Sequence, residues 1–81
     1  MKHRLTESEK LKIKQLANRL KSLRIKAGYS NYEYFAYENE ISRTQYGRYE
    51  QGVDLKFSTI LRILKPLNIT LEEFFSEGFE D

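Results

Sequence analysis

Two arginines, a threonine, a glycine and a glutamine fall on one side if residues 43–51 are helical. At 100° per residue, Arg43, Thr44, Gly47, Arg48 and Gln51 cluster, Gln45, Tyr46 and Tyr49 turn away, and Glu50 sits at the border. The clustered side holds no acid and nothing bulky and apolar. A guanidinium donates in the paired geometry that fits O6 and N7 of guanine, and threonine and glutamine can also read base edges. Such a face suits the major groove of duplex DNA, with Arg43, Thr44, Gly47 and Arg48 as the base-reading set. Gly47 falls mid-helix on the open side, where glycine costs roughly 1 kcal/mol against alanine. Close approach of the backbone to DNA would account for it.

The elements that must position these residues are legible on either side. Ser42 can cap the helix, and Gln45, three residues on, can reach back to complete a capping box. Gly52 is a plausible stop. Upstream, residues 31–39 read as another short helix, capped by Ser30 or Asn31, with Phe35 and Ala36 inward. Glu40 and Ile41 then make a tight turn into Ser42. Helix, short turn, helix over about residues 31–50 is a helix-turn-helix pattern.

Ala36, Ile41, Ser42, Tyr46, Tyr49, Glu50 and Gly52 together resemble the phage repressor and Cro type of helix-turn-helix, the XRE-like regulators. Leu20, Leu23 and Arg24 match that family's first helix. Ile60, Ile63, Leu64, Leu67, Ile69, Thr70, Leu71, Phe74 and Phe75 match its last two, so the likeness covers about residues 16–75. It implies an all-α, five-helix fold and a sequence-specific double-stranded DNA-binding transcriptional regulator, with helix 43–50 in the major groove and two copies on a two-fold site. It implies roles as well. Asn31 and Tyr32 would hold a phosphate at the start of the second helix, with Gln45 and Lys56 as further backbone contacts. Arg24 would pair with Glu50, partly buried, and set the angle of the recognition helix. The alternative within the same fold is a protein-interaction module, an antitoxin or adaptor. The chain departs from the family at Asn39, where a leucine is usually buried, at Glu40, where glycine is usual, and in the loop 28–31, one residue longer than common.

Composition narrows the function classes. Eighty-one residues suit one small domain over 1–81. There is no cysteine and one histidine, His3, so no disulfide framework or metal site is expected. No nucleophile stands with a base and no glycine loop cradles phosphate, so neither an enzyme nor a cofactor is expected. Without a second domain, no small-molecule ligand is expected either. The apolar runs are too short to span a membrane, and a soluble cytoplasmic protein is the expectation. The net charge of +2 hides an asymmetry: residues 1–28 carry nine Lys/Arg against two Glu, and the rest is net acidic. Such a chain turns one side toward a polyanion.

The remaining elements follow from caps and periodicity. Thr6-Glu7-Ser8-Glu9 is a capping box that opens a helix running to Ala27 and stopping at Gly28. Ile13, Leu16, Ala17, Leu20, Leu23 and Ala27 form its apolar stripe, with Lys10, Lys14, Arg19, Lys21 and Lys26 off it. This helix is about two turns longer than the family needs. Leu11 and Ile25 lie outside the stripe. A fourth helix runs from Phe57 or Ser58 to Leu67, with Ile60, Leu61, Ile63 and Leu64 apolar and a kink or early end at Pro66. Thr70-Leu71-Glu72-Glu73 opens a fifth, through about Ser76. Tyr34, Tyr37, Tyr46 and Tyr49 read as packing residues. Phe74, Phe75 and Phe79 offer more apolar area than a terminal helix needs and are the candidate homodimer contact. The competing arrangement folds them back onto the first helix near Leu11 and Ile25.

Overall fold

The computed structural model describes residues 4–80. Five helices follow in order: α1 (Glu7–Lys26), α2 (Tyr32–Glu38), α3 (Arg43–Tyr49), α4 (Phe57–Leu67) and α5 (Leu71–Phe74), with no strand among the described residues. Both threonine boxes close. Thr6 accepts from Glu9 N–H while Glu9 accepts from Thr6 N–H, and Thr70 and Glu73 do the same. Asn31, not Ser30, caps α2, its Oδ1 taking the N–H groups of Glu33 at 2.7 Å and Tyr34 at 3.2 Å. Ser42 accepts from Gln45 N–H at 3.3 Å, but the reciprocal half of that box is not made. Gln45 points instead toward the α4 side, near Thr59 and Arg62.

The core is one cluster drawn from all five helices. Leu20 and Leu23 of α1, Phe35 and Ala36 of α2, Tyr46 of α3, Ile60, Ile63 and Leu64 of α4 and Phe74 of α5 are buried in it. Each large side chain there contributes on the order of 1.5–3 kcal/mol by leaving water. Tyr46 is the aromatic centre, with ring centroids of Phe35 at 5.1 Å, Tyr49 at 6.0 Å and Tyr32 at 6.4 Å. Tyr34 and Tyr37 depart from the packing role expected of them: both are exposed, Tyr37 at 72%. They lie on the outer face of a seven-residue helix that buries only Phe35 and Ala36. Leu61 is likewise exposed, one step round α4 from Ile60.

The corner between α2 and α3 takes a left-handed residue where the family prefers glycine: Glu40 has φ 57°. That conformation costs an L-residue with a β-carbon roughly 1–2 kcal/mol. Asn39, which replaces the usual leucine, turns its amide back to the Phe35 carbonyl at 2.8 Å, so the polar substitution satisfies a helix-end acceptor rather than filling the core. Pro66 does not end α4 early. It sits in the last turn, one residue from the end, and left-handed Asn68 (φ 55°) closes the helix.

The end of the chain departs most from expectation. α5 stops at Phe74 rather than near Ser76. Arg19, which lies off the apolar stripe of α1, is nevertheless buried against this end. Its Nε donates to the Phe74 carbonyl at 2.8 Å, its Nη2 to the Glu73 carbonyl at 2.8 Å, and its Nη1 reaches Glu77 at 3.2 Å. Further along, Lys12 Nζ donates to the Phe79 carbonyl at 2.8 Å and Gln15 Nε2 to that of Glu80 at 2.6 Å. The tail thus straps to α1, through Lys12, Gln15 and Arg19 rather than at Leu11 and Ile25, which remain half exposed. Phe74 is buried completely, which removes it from any dimer face. Phe75 is 47% exposed and Phe79 half-buried, the two rings 5.1 Å apart.

Candidate nucleic-acid interface

The outward side of α3 and the start of α2 enclose an open groove of about 510 Å³ lined by Tyr32, Glu33, Arg43, Thr44, Gly47, Arg48 and Gln51. Arg43, Thr44, Arg48 and Gln51 are all exposed. Three polar side chains of one helix face, with Gln51 just past the helix, thus open to solvent beside the N-terminal turn of the preceding helix. Asn31 borders a neighbouring hollow with Glu33, Tyr34, Tyr37 and Arg43. Gln45 and Lys56 line neither. Gln45 faces α4, and Lys56 stands exposed just ahead of α4, where it makes no side-chain cap.

Gly47 is not on an open face. It is buried, and a Cβ built on it would stand 2.9 Å from Tyr32 Cε1 and 3.1 Å from the Tyr32 hydroxyl. The helical wheel is right about direction, but a side chain from another element lies over the position. Glycine there lets the Tyr32 ring rest on the recognition helix with its hydroxyl in the groove. Gly47→Ala should therefore gain roughly 1 kcal/mol of helix propensity and lose it again by displacing the Tyr32 ring, leaving stability nearly unchanged. In a Tyr32→Ala background the same substitution should show the full gain. A thermodynamic cycle from urea melts checks this, and equal effects in both backgrounds would show that the ring and the glycine do not meet.

Glu33 escapes a reading of α3 alone because it comes from α2. Its carboxylate lines the groove, and a carboxylate can accept from cytosine N4.

Behind the groove, α3 is held by a fork. Arg24 Nε donates to Glu50 Oε2 at 2.8 Å and Arg24 Nη2 to Glu50 Oε1 at 2.9 Å, while Arg24 Nη1 donates to the Tyr29 carbonyl at 2.6 Å. The two side chains are only 4% and 8% exposed. The hydrogen bonds to Glu50 raise the Arg24 pKa against the opposing effect of burial, so the guanidinium stays charged at any ordinary pH. Burial, with Glu50 beside it, pushes the Tyr46 phenol well above its usual range. Its hydroxyl has no hydrogen-bond partner in the structure. One residue of α1 therefore ties the loop before α2 to the C-terminal cap of α3, and so orients both helices that frame the groove.

The family model described as helix-turn-helix matches residues 20–74, more than half of the chain. The chain belongs to the helix-turn-helix family of XRE, Cro-like type. No curated protein and no solved structure matches it. Helix-turn-helix proteins of this kind bind DNA, and in this one the paired helices are α2 and α3. The match begins inside α1, so residues 7–19 of that helix lie outside it. No helix among the described residues is long and apolar enough to cross a membrane.

Proposed function

We propose that this helix-turn-helix protein is a cytoplasmic, sequence-specific regulator of transcription, not an enzyme, that binds double-stranded DNA as a homodimer. The observation that carries the reading is the groove on α3, where Arg43, Thr44, Arg48 and Gln51 are exposed together and backed by a rigid ion-paired frame. Arg43, Thr44 and Arg48 read base edges. Tyr32, beside them in the groove, and Asn31 at the α2 cap meet the phosphate of the same strand. Lys56 adds a contact that is blind to sequence. Gln45, turned toward α4, is the weakest of the proposed backbone contacts. One recognition helix covers few base pairs, so two copies on half-sites about one helical turn apart complete the recognition. With Phe74 buried, Phe75 and the edge of Phe79 are what remains of the proposed two-fold contact.

Selection of binding sites from random duplexes tests this. Wild type should return a palindromic consensus. Arg43→Ala and Arg48→Ala should each lose about 1–3 kcal/mol on the best site and flatten one base-pair preference. Lys56→Ala should weaken all sequences alike. An unchanged selection profile for Arg43→Ala would remove α3 from the groove. The competing reading, a protein-interaction module, draws on the exposure of Tyr34 and Tyr37 beside Glu33 and Glu38. It expects little retention on duplex DNA and no steep dependence on salt.

A further inference from the structure

The part of α1 outside the family match carries two lysines to the far end of the recognition groove. Lys10 and Lys14 are one helical turn apart, both exposed, and share a second cavity of about 150 Å³ with Leu5, Ile13, Gln51, Gly52 and Asp54. Gln51 lines this cavity and the recognition groove alike. A Cβ on Gly52 would stand 3.8 Å from Lys14 Cδ, so the Lys14 stem runs alongside the turn three residues past the recognition helix. Arg43 opens α3 and Gln51 lies past its last turn, and it is Gln51 that the lysines' cavity shares with the groove. Nearby acids are Asp54 in the cavity and Glu7, 3.7 Å from Lys10 and almost fully solvent-exposed. Lys14 pairs with no carboxylate among the described residues.

We infer that Lys10 and Lys14 form a phosphate rail: a sequence-blind contact to the duplex backbone flanking the half-site, beyond the reach of α3. The inference rests on the proposed DNA-binding role. A helix lying in a groove about 12 Å wide has phosphate walls on both sides. The start of α2 addresses the backbone beside α3, and the lysines, continuous with the groove through Gln51, address the backbone past its Gln51 end. The extra turns of α1 give them that reach. The same helix presents Lys26 on its other flank, in a hollow with Arg19 and Glu77 that shares no lining residue with the groove. That asymmetry supplies the control.

The test measures affinity against salt on the selected duplex for wild type, Lys10→Gln/Lys14→Gln and Lys26→Gln. The double variant should flatten the slope of log affinity against log salt by about 0.9 per lysine, about 3.6 for the four lysines of a bound dimer, with the base-preference profile unchanged. Lys26→Gln should keep the wild-type slope. Trimming the flanking base pairs from the duplex should weaken wild type and leave the double variant as it was. A double variant with the wild-type slope, or Lys26→Gln flattening it equally, would overturn the rail while leaving the DNA-binding reading intact. Wild type that ignores duplex DNA would overturn the reading itself.

Discussion

Glu50→Ala should lower stability by about 3–5 kcal/mol, because it leaves a guanidinium buried without its counter-charge. Arg24 has almost no access to water, and both of its Glu50 bonds are short and parallel. Arg24→Ala should cost a similar amount and also release the Tyr29 carbonyl that holds the loop before α2. Removing both should cost less than the sum, since neither charge is then stranded. Urea unfolding of the four proteins in the cycle gives the coupling directly, and small additive losses would show that the fork does not bear on stability. Small domains hold about 5–15 kcal/mol in total, so either single variant sits near the threshold of folding. The double variant, if folded, should also bind DNA more weakly than wild type, because the end of α3 is no longer tied to α1.

Arg19→Ala should be the next most damaging change. It removes two charge-assisted bonds to the backbone carbonyls of Glu73 and Phe74. Such bonds are worth about 1.5–3 kcal/mol each, and with water reaching part of the site the loss should be about 2–4 kcal/mol. Arg19→Lys should recover only a fraction, since an ammonium cannot fork across two carbonyls as a guanidinium does. Glu77→Gln should change little, because that carboxylate is 67% exposed. The readout is the urea midpoint together with hydrogen exchange of the α5 amides. Full rescue by lysine would mean that charge alone, not the fork, is what α5 needs.

How far the fold could be read from residues alone depends on where the partners lie. The helix starts were legible at Thr6 and Thr70 because each cap and its glutamate are three residues apart, so the whole interaction sits inside one turn. The five helices and their inward faces follow from periodicity, which the core cluster respects. The Arg24 and Glu50 pairing rested on likeness to a family; no spacing rule connects residues 26 apart. The burial of Arg19 is not legible from spacing, for a physical reason. Its acceptors are backbone carbonyls 54 and 55 residues away, and every residue type carries a carbonyl. Gly47 was misplaced because a helical wheel knows one helix and Tyr32 belongs to another. The shortened α5 is no more legible, since it ends where Arg19 meets the Glu73 and Phe74 carbonyls.

The contacts of α1 also close successively longer stretches of chain. α2 and α3 are neighbours across a short corner, and closing so small a loop costs little entropy. The fork at Glu50 requires a closure of 26 residues, the Phe74 carbonyl one of 55, and the Phe79 carbonyl one of 67. Each waits on a later part of the chain, and all three end on the same face-forming helix. The helical pair that carries the recognition groove can therefore collapse first, its angle can be locked second, and the tail can fasten last, like a lace drawn through successive eyelets of α1. A fragment ending ahead of residue 73 would lose Phe74 from the core together with the final fastening. In hydrogen exchange, α5 and the tail of the intact protein should accordingly open at lower free energy than α3.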